Sequence, residues 1–129
     1  MNIRRIHDLP FKPWLAAATV LLLQGCSAVP LQPAAAHVRL MNQEPTGCEY
    51  LGEVTGEQGG AFSGPWTSNA NLETGARNDM KNSAATMGAD TVVVLSTRAG
   101  STGNWGQGSG HSEQTNVVYS GTAWRCQPH

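Results

Sequence analysis

Residues 69–97, NANLETGARNDMKNSAATMGADTVVVLST, hold the passage from which the fold is read. Leu72, Ala76, Met80, Ala84 and Met87 recur at helical spacing, which places them on one apolar stripe of an α-helix. The opposite face carries Arg77, Asp79 and Lys81 and reads as a solvated surface. Asn69 or Asn71 is placed to cap the N-terminus, with Glu73 in the first turn, where the helix dipole favours an anion. Gly88 falls where a helix needs a left-handed residue to stop. Gly75, costly inside a helix, marks close packing. Beyond the stop, Val92-Val93-Val94-Leu95 is a continuous, mostly β-branched run, the pattern of a buried central strand.

Upstream, His37 to Met41 reads as a short strand with Val38 and Leu40 on one face, and Glu44-Pro45-Thr46-Gly47 supplies turn residues. Cys48 to Thr55 is a second strand in which Gly52 breaks the alternation, as a bulge or a close approach does. Downstream, Thr115 to Cys126 alternates around Val117, Tyr119, Ala123 and Trp124 as a last strand. The order β-β-α-β-β places the chain in the α+β class, with one helix packed on a mixed sheet. A strand-helix-strand passage runs its two strands the same way. The fourth strand then returns antiparallel and brings Cys126 to the end of the sheet that holds Cys48.

At the N-terminus, Arg4, Arg5 and Lys12 precede an apolar stretch from Trp14 to Leu23. That is the outline of an export signal, and its apolar part is too short to cross a bilayer core of about 30 Å. The following Leu23-Gln24-Gly25-Cys26 resembles the bacterial lipobox. The resemblance implies that residues 1–25 are a cleaved lipoprotein signal peptide and that Cys26 becomes the lipid-modified first residue. Each buried methylene adds about 0.8 kcal/mol, so two or more acyl chains anchor stably. Ser27 stands where inner-membrane lipoproteins commonly carry aspartate, which implies the outer membrane, facing the periplasm. Residues 26–36 are then the lipidated N-terminus and a Pro/Ala-rich, extended tether, and residues 37–129 a single domain. With Cys26 assigned to lipid, Cys48 and Cys126 remain in an oxidising compartment where paired thiols are the default. A Cys48–Cys126 disulfide is expected, in agreement with the topology.

Gly56–Asn71 and Ala99–Gln114 are rich in Gly, Ser and Asn and read as loops at the sheet end opposite the disulfide, the second of them mobile. They carry Phe62, Trp66 and Trp105. Two readings of these aromatics stand side by side: a partial lid on the core, or a recognition surface. Beyond residue 25 the chain has five basic and eight acidic residues, a formal charge of −3, with no basic patch for nucleic acid. His111 and Glu113 fall short of a metal ligand set. No serine sits in a GxSxG elbow, no histidine lies on an expected rigid element, and the glycine-rich stretches lack the Lys-Ser/Thr ending of a phosphate loop. No enzyme activity and no cofactor are expected. The expected partners are the membrane, through the N-terminal lipid, and an envelope protein of unknown identity.

Gly47-Cys48-Glu49-Tyr50-Leu51-Gly52-Glu53-Val54, Ala76-Arg77-Asn78-Asp79-Met80-Lys81-Asn82, Met87-Gly88-Ala89-Asp90-Thr91-Val92 and Gly121-Thr122-Ala123-Trp124-Arg125-Cys126 together resemble the YjeI-like lipoproteins, the family of domain of unknown function 4156. Asp90 stands where the family pattern has asparagine. This resemblance implies a small envelope domain without naming an activity. A more distant, architectural similarity is to the RcsF-like outer-membrane stress sensors, which join a lipidated cysteine and a Pro-rich tether to a disulfide-bonded α+β domain but carry more cysteines. The function expected is therefore a non-enzymatic, lipid-anchored interaction or structural role. An envelope-stress sensor or accessory is the alternative, and a small-ligand or metal binder a weaker one.

Overall fold

A computed structural model describes residues 27–60, 62–103 and 112–126. Among these residues, four strands, β1 (Arg39–Met41), β2 (Glu49–Gly59), β3 (Thr91–Gly103) and β4 (Ser112–Arg125), and one α-helix, α1 (Asn69–Thr86), follow the expected β-β-α-β-β order. The sheet order is β1-β3-β4-β2. β4 pairs antiparallel with both β2 and β3, so those two run the same way with β4 between them. β1 joins β3 in parallel at the other edge. The long edge strand β2 carries Glu49, Glu53 and Glu57, charges that discourage edge-to-edge pairing.

The apolar stripe of α1 packs as its spacing required: Leu72, Ala76, Met80 and Ala84 are fully buried. Around Met80 and Ala84 the core gathers Val38, Val54, Ala89, Val92 and Ala123, and around Leu72 and Ala76 it gathers Val117. Tyr119 packs against both groups. The helix backbone approaches the sheet at Gly56, where an added Cβ would lie 2.2 Å from the Met80 nitrogen.

The helix ends differ in part from their expected form. Ser68 is the N-cap, its hydroxyl accepting from the Asn71 amide at 3.2 Å. Asn69 is therefore already helical, Asn71 is a capped amide, and Glu73 lies beyond the first turn. At the other end Gly88 adopts φ +78°, the left-handed stop that its position indicated.

In β2 the register shifts between Tyr50 and Gly52, the bulge that Gly52 signalled. The Val92–Leu95 run is only partly buried. Val92 and Val93 are buried in the interior strand, but a second bulge between Val94 and Ser96 turns Leu95 outward, and it is 62% exposed. The segments expected as loops are shorter than their composition suggested. β2 continues to Gly59, β3 to Gly103, and β4 begins at Ser112, so strand pairing overrides the low β-propensity of Gly, Ser and Asn. Residues 104–111, the rest of the expected mobile loop, lie outside the described residues.

Candidate functional site

The disulfide joins Cys48 and Cys126 across a Cα–Cα distance of 4.3 Å. It lies beyond the last rung of the β2–β4 ladder, Glu49 with Arg125. Buried Asp90 secures the same corner. Its carboxylate accepts from the Cys126 amide at 3.0 and 3.1 Å and from the Thr91 hydroxyl at 2.8 Å, and its carbonyl accepts from the Arg39 amide at 2.9 Å. One residue thus ties the starts of β1 and β3 to the end of β4. Arg125 closes over this end, with a 2.9 Å ion pair to Glu49 and an Nε–H donated to the Gly88 carbonyl that follows α1.

Residues 29–36 do not form the extended tether that their Pro/Ala composition suggested; they are strapped to α1 and the end of β2. The Val29 amide donates to Gln58 Oε1 at 2.7 Å, and Asn78 Nδ2 donates to the Val29 carbonyl at 2.8 Å. One turn along, Asn82 Nδ2 donates to the Pro30 carbonyl at 3.0 Å and Asn82 Oδ1 accepts from the Gln32 amide at 2.9 Å. A 3₁₀ turn at Pro33–Ala35 then buries Ala35 completely before the chain enters β1. Gly75 makes room for this arrangement: a Cβ there would lie 2.0 Å from Gln58 Oε1. Sequence reasoning took this helix face for a solvated one and missed Gln58, Asn78 and Asn82. The available signal was the pair of asparagines four residues apart on that face.

The strap is open to a direct test. Asn82 is 7% exposed, and its removal leaves two backbone groups of the strap without their partner. The Asn82→Ala substitution is expected to cost about 1–3 kcal/mol and to speed hydrogen exchange at the Gln32 amide, read by exchange mass spectrometry. Unchanged protection at Gln32 would show that the side chain does not hold the strap.

At the end of the sheet opposite the disulfide, β2 passes into a 3₁₀ turn at Gly64–Trp66 and then into the Ser68 cap. Hydrogen bonds fix the backbone there, among them those from the Gly60 amide to the Thr115 carbonyl and from the Gly64 amide to the Gly60 carbonyl. On this held backbone Phe62 is 94% exposed and Trp66 77% exposed. Neither covers the core, so the lid reading fails for both. Trp105 lies outside the described residues, as do Cys26 and His111, and the Glu113 side chain is also undescribed. A ring pair is found at the other end, where Tyr50 and Trp124 meet edge to face at 5.2 Å. Among the described residues, no three His, Cys, Asp or Glu side chains gather as a metal site would need, and no helix is long and apolar enough to cross a membrane.

Residues 29–126 match the family described as Domain of unknown function (DUF4156). The chain belongs to that family. The match begins at Val29, the residue at which hydrogen bonding to Gln58 starts, so the strap is part of the family's domain. The chain is also similar to three curated proteins, each called Uncharacterized protein YjeI. They come from Escherichia coli K12, Escherichia coli O6:H1 and Shigella flexneri, and each is 35% identical over 78 residues, 59% of this chain and 67% of the relative. These matches bear on the YjeI-like resemblance and not on the RcsF-like architecture.

Proposed function

We propose that this member of the family is a lipid-anchored, non-enzymatic module of the bacterial envelope, held at Cys26 in the outer membrane and facing the periplasm. Its role is structural or one of interaction, with the Phe62 and Trp66 end as its contact surface. The Cys48–Cys126 disulfide is the observation that carries this reading, because such bonds form and persist in oxidising compartments, the periplasm among them. The signal-like residues 1–25 and the lipobox-like Leu23-Gln24-Gly25-Cys26 supply the route and the anchor. A binding role is supported by what the buried polar groups do. Asn82 and Asp90 hold the strap and the strand ends by bonding backbone amides and carbonyls. In the 3₁₀ segment that follows β2, the large side chains set outward on a held backbone are the aromatics Phe62 and Trp66.

The reading is tested by expressing the full chain with Cys26→Ala in a two-membrane bacterium and fractionating the cells. The unsubstituted chain is expected in the outer-membrane fraction, and the variant out of it. Equal distribution of the two would refute the anchor.

A further inference from the structure

We infer that Phe62 and Trp66 seat in the headgroup region of the leaflet that holds the lipid anchor, so that the domain stands on the membrane by its aromatic end and points its disulfide end away. This rests on the anchoring at Cys26 proposed above, and names what the aromatic end contacts.

The length of chain before the strap carries the inference. Among the described residues, hydrogen bonding to the domain begins at Val29, only three residues after Cys26. Three residues reach at most about 10 Å. Between Pro30 and Val29 the strap passes from Asn82 to Asn78, towards the N-terminal end of α1. Val29 ends against Gln58, one residue before the close of β2, and the chain then leads directly into the segment that carries Phe62 and Trp66. A lipid on Cys26 therefore brings this end of the domain to the bilayer. A flexible tether of ten residues would have left every orientation open; the strap removes that freedom.

The chemistry of the end fits an interfacial position. From Gln58 to Leu72 the chain has no charged residue, so seating this segment among headgroups desolvates no ion of its own, and the exposed Glu57 and Glu73 border it. The side chains it presents are Phe62 and Trp66, and indole rings, apolar in body with one polar N–H, are enriched at the membrane–water boundary. The opposite end carries the Glu49–Arg125 ion pair, with Glu49 exposed, beside the exposed Tyr50.

The test uses the acylated chain purified from membranes and reconstituted in phosphatidylethanolamine–phosphatidylglycerol vesicles, with or without bromine atoms on the acyl chains near the headgroups. One variant, Trp105→Phe with Trp124→Phe, keeps Trp66 as the reporter; another, Trp66→Phe with Trp105→Phe, keeps Trp124. Both are first floated with the vesicles. Trp66 is expected to lose most of its emission in brominated vesicles and to shift to the blue, while Trp124 changes in neither respect. If the protein floats and Trp66 is quenched no more than Trp124, the seating is overturned and the anchor stands. If the protein does not float, the anchor fails and the seating with it. Because Trp124 donates to Thr122 and meets Tyr50 edge to face, a second measurement leaves it in place. A photoreactive benzoylphenylalanine at position 62 of the otherwise unchanged chain is expected to crosslink phospholipid in cells. A crosslink to one protein instead would overturn the seating and make this end a protein contact.

Discussion

Replacing Cys48 and Cys126 together by alanine is expected to lower stability by about 2–5 kcal/mol, out of the roughly 5–15 kcal/mol typical of a native domain. The size follows from where the bond lies. It joins residues 78 apart, and the loop it closes contains β2, α1, β3 and β4. In the chain-entropy description a loop of this length restricts the unfolded chain by roughly 4–5 kcal/mol. The fold itself should survive, because the Glu49–Arg125 rung and the Asp90 bonds to Cys126 and Arg39 hold the same corner without the sulfurs. At roughly 4–8 °C per kcal/mol for a domain of this size, the thermal midpoint should fall by about 10 °C or more, read by circular dichroism, and reductant should reproduce the shift in the unsubstituted protein. A midpoint indifferent to both would show that the disulfide closes nothing the native contacts do not already hold.

Gly56→Ala is the second large effect, and its sign runs against propensity. In a strand, alanine is ordinarily better than glycine by roughly 0.5–1 kcal/mol. Here the new Cβ would lie 2.2 Å from the Met80 nitrogen, 2.3 Å from the Ala76 carbonyl oxygen and 2.6 Å from the Met80 Cα. All three atoms are helix backbone, which does not yield as a side-chain end does. The helix must move off the sheet, which loosens the packing of Met80 and Ala84 against Val54, Val92 and Ala123. Overpacking of this kind costs about 1–3 kcal/mol and occasionally more, and the rigidity of the obstacle puts the expected loss at about 3 kcal/mol. Gly60→Ala is the control. Nothing lies within 4 Å of its added Cβ, and a change within about 0.5 kcal/mol is expected. Urea unfolding midpoints compare the two, and equal midpoints would contradict the close helix–sheet approach.

The elements that could be read from the sequence are those whose physics is local. The helix announced itself through Leu72, Ala76, Met80 and Ala84, all fully buried, and through Gly88 at its stop. The parallel sense of β2 and β3 followed from the helix between them, and the disulfide followed from where β4 then had to end. What could not be read depends on partners distant in sequence. The strap is held by asparagine and glutamine side chains 29 to 52 residues away, and such bonds leave no periodicity in Val29–Ala36. The extension of β3 to Gly103 and of β4 back to Ser112 is set by their mutual register, not by their composition. Phe62 and Trp66 stood out as aromatics in a polar segment. Whether they pointed inward or outward was fixed only when Gly60 and Gly64 were held by the Thr115 and Gly60 carbonyls.

The intact mass of the chain purified from membranes, taken with and without reduction before alkylation, tests the central proposal most directly. A lipid-anchored envelope domain predicts a chain that begins at Cys26 with acyl groups attached, in which Cys48 and Cys126 resist alkylation until reduced. A chain that retains residues 1–25, an unmodified Cys26, or thiols already free at Cys48 and Cys126 would contradict it.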